Sequence, residues 1–111
     1  MKIVRDGDRE WKVVKVEQVH IDTGQPGRGG NCPLYNAMKD SGIEGDIHVG
    51  AHAITINCDP GCEPRNENEF IFDHTHVTQT WISNFDKRNK DKVYPFVIYL
   101  DFENGIMETY T

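Results

Sequence analysis

Apolar residues occupy every second position near the C-terminal end, at Phe96, Ile98, Leu100 and Phe102. This alternation predicts a β-strand that buries one face. The Asn104-Gly105 pair that follows favours a tight turn, so residues 106–110 are predicted to return as a paired strand.

Strand-like patterns also occur at the N-terminal end of the chain. Residues 2–5 and 11–16 are rich in apolar and β-branched side chains, and the turn signal Asp6-Gly7-Asp8 separates them. This arrangement predicts an N-terminal hairpin. Residues 17–24 resemble a helical turn that ends at a glycine.

The middle of the chain predicts a longer pair of strands. Residues 47–58 are interpreted as one strand, and residues 70–72 as the strand that returns. Pairing Ile54 with Phe72 places the apolar side chains of both strands on one face, and the same register places His52 opposite His74. Residues 59–68 between them are polar and contain two prolines, so an exposed, dispensable loop is expected.

Two helices are predicted. Val77, Trp81 and Phe85 recur at four-residue spacing, which is typical of an amphipathic helix over Val77–Asp86. Proline is favoured at the first helical position, so Pro33 begins a second helix over Pro33–Ser41. The expected fold is α+β, a single domain over residues 1–111 with a mainly antiparallel sheet, hairpins and two short packing helices.

Cys32 directly precedes the helix that Pro33 begins, and it is therefore the predicted N-cap residue of that helix. A thiol at a helix N-terminus is either a nucleophile with a lowered pKa or a small, half-buried hydrophobic group. We favour the second interpretation from the sequence.

The charge balance narrows the classes of partner. The chain has 12 basic and 18 acidic residues, a net charge of −6, which disfavours direct binding to nucleic acid and to anionic membranes. A basic host protein surface, including one that normally holds nucleic acid, is a suitable partner. The three cysteines and the lack of a secretory or membrane-spanning pattern favour a reduced cytoplasm without structural disulfides.

Four stretches in a fixed order carry a resemblance to a known family. They are residues 16–24, residues 31–38, residues 81–86 and residues 93–96. This series resembles a family of small bacteriophage proteins with HIDxG, CPxxxA, WIxxFD and PFxF-like motifs. The resemblance implies a phage origin, with the host cytoplasm as the expected location, and it carries no enzyme assignment that can be transferred to this chain.

The leading functional hypothesis is a phage accessory protein that acts by binding a host protein. Inhibition of a host defence system, as by an anti-CRISPR protein, or host takeover would fit its small size and acidic charge. Candidate binding residues are Gln25, Arg28, Gly29, Gly30 and Tyr99. No cofactor is expected, and the oligomeric state is left open.

A cysteine hydrolase is the first alternative. The stretch around Cys32 resembles the cysteine helix of ovarian-tumour-type deubiquitinases, and the stretch around His52 resembles the histidine strand of papain-like peptidases. Asp73 or Asn57 could then orient His52. Against this hypothesis, Cys32 and His52 are close in sequence, Pro33 follows the nucleophile directly, and a short chain leaves little room for a substrate cleft.

Two further alternatives concern small ligands. The glycine-rich residues 24–30 could hold a phosphate group, which would make the protein a nucleotide sponge, although the stretch lacks a complete phosphate-loop motif. A metal site could use His48, His52, His74 and His76. The cysteines Cys58 and Cys62 are about 20 Å from these histidines in the predicted hairpin, too far to share a metal ion with them.

Overall fold

A computed structural model describes residues 2–7, 9–24, 32–62 and 67–110. It confirms the predicted α+β class. The elements are β1 (Lys2–Asp6), β2 (Arg9–Val16), α1 (Gln18–Thr23), α2 (Pro33–Asp40), β3 (Asp46–Val49), β4 (Ala53–Cys62), β5 (Glu67–Asp73), α3 (His76–Asp86), a short 3₁₀ helix (Lys90–Lys92), β6 (Phe96–Asp101) and β7 (Ile106–Tyr110).

The strands form two antiparallel sheets rather than one. Sheet A has four strands in the order β1-β2-β6-β7, and sheet B has three in the order β3-β4-β5. The predicted hairpins β1–β2 and β6–β7 are both present in sheet A. Strands β2 and β6 join these two hairpins, with Val14 opposite Ile98 and Val16 opposite Phe96.

The prediction of one strand over residues 47–58 is wrong. The chain turns back at residues 50–52, so that β3 pairs with β4 and Ile47 lies opposite Ile56. The Gly50 N–H closes this turn by donating to the Ala53 carbonyl at 2.9 Å. The apolar pattern of residues 47–58 does not reveal this turn. Strands β3 and β4 both contribute side chains to the same buried face, so the pattern looks continuous across the turn.

The predicted register between β4 and β5 is confirmed, with Ile54 opposite Phe72. The His74 N–H donates to the His52 carbonyl at 2.9 Å, which continues the same register. The loop prediction for residues 59–68 needs correction, since β4 extends to Cys62 and β5 begins at Glu67. A register shift lies between Asn57 and Cys62.

The expectation of a chain without disulfides is also corrected. Cys58 is disulfide-bonded, and it is buried beside the turn that leads into β3. Its sulfur lies 3.9 Å from the Glu44 carbonyl oxygen.

Both predicted helices are present. Helix α2 has Cys32 as N-cap residue and Pro33 at its first position, and it ends at Ser41. Helix α3 begins one residue earlier than predicted, after the N-cap Thr75, whose hydroxyl accepts the Thr78 N–H at 3.1 Å.

One buried cluster joins the helices to both sheets. It includes Leu34 and Met38 of α2, Trp81 of α3, and inward-facing residues of β2 to β7. Trp11 of β2 is buried as well. Within the described residues, no helix combines the length and the apolar character needed to cross a membrane.

Candidate functional site

Cys32 lies where the chain enters helix α2. Its backbone is extended, with φ −82° and ψ 164°, as is usual for an N-cap residue. The side chain is only 7% exposed and belongs to the buried cluster. Its sulfur makes no capping hydrogen bond to the helix. The sequence therefore located the residue correctly, and the thiol is more buried than a typical cap.

Burial and several neighbouring groups change the pKa of the Cys32 thiol. Burial raises the pKa of Cys32, and this effect is the largest. The backbone N–H groups of Tyr35 and Leu34 lower the pKa, while the negative charge of Asp86 raises it further. The net result is a raised pKa, so the resting thiol keeps its proton at neutral pH.

A groove of about 570 Å³ opens beside Cys32. The structure brings two of the predicted chemical residues, Cys32 and His52, to this groove, and it adds His48. The complete lining is Cys32, His48, Val49, Gly50, Ala51, His52, Gln79, Ile82, Ser83, Asp86 and Lys87. One thiol and two imidazoles therefore share a single solvent-filled space.

Helix α3 contributes a wall that the sequence analysis missed. Gln79, Ser83 and Asp86 recur at positions i, i+4 and i+7, so they lie on one face of the helix. All three are exposed to solvent along the groove. The four-residue and three-residue spacing of these polar side chains, beside the apolar face of Trp81 and Phe85, is the sequence signal for this wall.

The two histidines of the groove come from different positions in the β3–β4 hairpin. His48 is on the outward face of β3, because its neighbours Ile47 and Val49 are buried. Its ring lies against Gly50, where an added Cβ atom would be 3.8 Å away from it. His52 is in the turn itself and is exposed.

The predicted partner of His52 is not at the groove. Asp73 lies opposite Ala53 at the end of β5, and its side chain is exposed. Asn57 is also exposed, farther along β4. Neither residue lines the groove, so the structure assembles a thiol and imidazoles there without the third member of the predicted triad.

His74 has a structural position instead. Its Nε2 atom lies 2.8 Å from the Gly50 carbonyl oxygen, and its Nδ1 atom lies 3.1 Å from the Thr78 hydroxyl. The ring thus ties the β3–β4 turn to the start of α3. Within the described part of the chain, no group of three His, Cys, Asp or Glu side chains is arranged to hold a metal ion, so the alternative site of His48, His52, His74 and His76 is not assembled.

The predicted binding loop falls outside what can be described. Gln25, Arg28, Gly29 and Gly30 lie outside the described residues, so the nucleotide hypothesis remains a prediction. A cavity of about 380 Å³ lies beside Gly24, where the described chain stops. It is lined by Gln18, Ile21, Asp22, Gly24, Phe85, Arg88 and Val93.

Tyr99 is half-buried on the outer face of sheet A. It lies opposite Val13 of β2 and Glu108 of β7. This face is the one that points away from the buried cluster, in agreement with the sequence pattern. Its role as a binding residue remains a prediction.

His20, which the sequence analysis quoted only as part of a motif, is a buried structural residue. It is 4% exposed, and its Nδ1 atom accepts the Glu17 N–H at 2.9 Å. The proton is therefore on Nε2, which donates to the Asp40 carboxylate at 2.6 Å. This pair of hydrogen bonds fixes α1 against the end of α2.

The outer side of α1 carries an unusual combination of side chains. Val19 is 57% exposed, and the exposed acidic residues Glu17 and Asp22 stand beside it in the same short element. Asp40, 72% exposed in its side chain, joins them through its bond to His20. We call Glu17, Val19, Asp22 and Asp40 the α1 face.

Comparison of the chain with protein-family models, with curated proteins and with solved structures gave no match. The resemblance to bacteriophage proteins therefore stays a prediction from the sequence motifs. What the chain does has to be inferred from the α1 face and from the groove beside Cys32.

Proposed function

We propose that the chain is a bacteriophage accessory protein that acts by binding a host protein. Inhibition of a host defence system, in the manner of an anti-CRISPR protein, is the role that we favour over general host takeover. The observation that carries the proposal is the α1 face, where the exposed apolar Val19 lies in one short element with the exposed Glu17 and Asp22.

The α1 face has the composition of a small binding surface. Protein interfaces place apolar contacts at the centre and polar groups at the rim. An isolated exposed Val19 would need no explanation. Val19 shares its short helix with the exposed Asp22, and the bonds of His20 to Glu17 and Asp40 fix that helix, which supports a surface that is ready to bind without rearrangement.

The charge of the face supports a basic partner. Glu17, Asp22 and Asp40 add to a chain whose net charge is −6. Such a surface speeds encounter with a positively charged protein and repels nucleic acid. A defence protein uses a basic surface to hold its nucleic acid, and an acidic protein that occupies this surface would block it.

The test uses two variants on the α1 face. Asp22→Lys reverses one charge of the rim, and Val19→Asp removes the apolar centre. Asp91→Lys, an equally exposed charge reversal in the 3₁₀ helix after α3, is the matched control. All three should keep wild-type stability within about 0.5 kcal/mol, because exposed substitutions seldom do more.

The readouts are capture of proteins from the bacterial host, identified by mass spectrometry, and protection of phage in a defence assay. We expect both α1-face variants to lose one defined host protein and to lose protection, while the control retains both. Raised salt should weaken capture by the wild type. If the α1-face variants capture the same proteins as the wild type, this face is not the binding surface.

A further inference from the structure

The groove beside Cys32 is separate from the α1 face. Its thiol and imidazole groups have no part in the proposed binding of a host protein. Cys32 enters it from the N-terminus of α2, His52 from the β3–β4 turn, and Asp86 from the end of α3. Parts of the chain that are distant in sequence thus bring a nucleophile and a base to one solvent-filled space.

We infer that this groove is a second, chemical site, in which Cys32 is the nucleophile and His52 the general base of an acyl-transfer and hydrolysis reaction. The substrate class is a small ester or thioester. The inference goes beyond the proposed binding function and does not depend on it.

Cys32 has the surroundings that such a nucleophile needs. Cys32 is the N-cap residue of α2, and its side chain lines the groove. The partial positive charge of a helix N-terminus stabilises negative charge as it develops on the sulfur or on a nearby oxygen. Burial opposes this effect and keeps the thiol protonated, so a base must remove the proton during attack.

His52 is better placed than His48 to be this base. His48 projects from the outward face of β3, and its ring is already packed against Gly50. His52 occupies the exposed turn, and its backbone is held by the bond from the His74 N–H. Its ring makes no hydrogen bond to another described residue that would have to break before a proton is taken up.

The reaction proceeds in two steps. In the first, the Cys32 sulfur forms a bond to the carbonyl carbon, His52 takes the thiol proton, and the bond from carbon to the leaving oxygen or sulfur breaks as His52 passes the proton to it. In the second, water attacks the acyl carbon, the carbon–sulfur bond breaks, and the proton returns through His52 to Cys32. The products are a carboxylic acid and an alcohol or thiol.

The groove lining contains one carboxylate and one ammonium group, Asp86 and Lys87, next to several apolar side chains. Val49, Ala51 and Ile82 provide apolar contacts for a short acyl chain. Acetylthiocholine, a cationic thioester, and p-nitrophenyl acetate, a neutral ester, are suitable probes.

The experiment follows acetylation of the intact protein by both probes, with the modified residue mapped by mass spectrometry and hydrolysis measured by product release. We expect Cys32 to be acetylated first. Cys32→Ser should abolish this adduct, and His52→Gln should slow its formation by about 10²-fold or more, the range for loss of a general base. His76→Gln, an exposed histidine of α3 that does not line the groove, is the matched control and should change the rate little.

Folding is checked by thermal unfolding, since serine can still act as the N-cap residue of α2. Alkylation of Cys32 by iodoacetamide shows whether the sulfur is accessible in each variant. An accessible Cys32 that is not acetylated, or that is acetylated equally fast in His52→Gln, would overturn the inference. Because the α1 face is not involved, Cys32→Ser should leave capture of the host protein intact.

Discussion

His74 is a half-buried imidazole whose protonation affects the stability of the fold. Burial is the main cause that lowers its pKa, and the nearby charge of His52 adds to this, while the Gly50 carbonyl and Asp73 act in the opposite direction. The folded protein therefore takes up a proton at this ring less readily than the unfolded chain does. Acidification below the unfolded pKa of about 6.5 must then favour unfolding.

We predict that the free energy of unfolding falls as the pH drops from about 6.5 toward the lowered pKa of folded His74. His74→Gln removes this titration and should flatten the pH dependence, although it also perturbs the bonds to Gly50 and Thr78. His76→Gln, at an exposed position of α3, should retain the wild-type slope. Urea denaturation at several pH values measures the effect, and an unchanged slope in His74→Gln would contradict it.

At the scale of elements, the turn between α2 and β3 depends on Gly45. Its φ is +97°, and a Cβ atom there would lie 2.8 Å from both the Asn57 carbonyl oxygen and the Cys58 sulfur. Gly42 also has a positive φ, +83°, yet has open space around it. The two glycines therefore separate the cost of backbone conformation from the cost of steric overlap.

We predict that Gly42→Ala destabilises the protein by about 1 kcal/mol, through conformation alone, and that Gly45→Ala costs clearly more. The additional loss arises because β4 must shift away from the new methyl group. Unfolding in urea, compared between the two variants, gives the difference directly. Equal losses would mean that β4 adapts without cost and that the close approach is unimportant.

The sequence predicted elements well where the signal is local. The alternation from Phe96 to Phe102 and the spacing of Trp81 and Phe85 both report a buried face directly, and each element was found. The division into β3 and β4 was not predictable in this way. It is stabilised by the bond from His74 to Gly50, between residues 24 positions apart.

In the candidate site, too, local features were predicted from the sequence and long-range contacts were not. Pro33 identifies Cys32 as an N-cap residue from neighbouring positions alone, and the structure agrees. The meeting of Cys32 with His48 and Asp86 requires the unforeseen turn and the packing of α3. Sequence patterns describe faces of single elements, and they do not specify which faces meet.

For the whole molecule, the buried cluster makes the two sheets dependent on each other. Leu34, fully buried in α2, belongs to the cluster that joins β2 and β6 to β4 and β5. We predict that Leu34→Ala costs about 2–5 kcal/mol and destabilises both sheets together. Tryptophan fluorescence, from Trp11 in sheet A and Trp81 in α3, should then show the same midpoint as circular dichroism. Separate midpoints would show that the sheets unfold independently.

The pairing of β2 with β6 has a consequence for synthesis on the ribosome. These strands are about 80 residues apart in sequence, and β2 has only β1 as a partner until β6 emerges. An isolated two-stranded hairpin is marginal in water, so β1 and β2 lack their sheet partner until about 80 further residues have been synthesised. Sheet B and α2, by contrast, come from one continuous stretch that can begin to associate earlier. Nascent chains arrested before Phe96 should therefore be sensitive to protease at their N-terminal end and expose apolar strands that chaperones recognise.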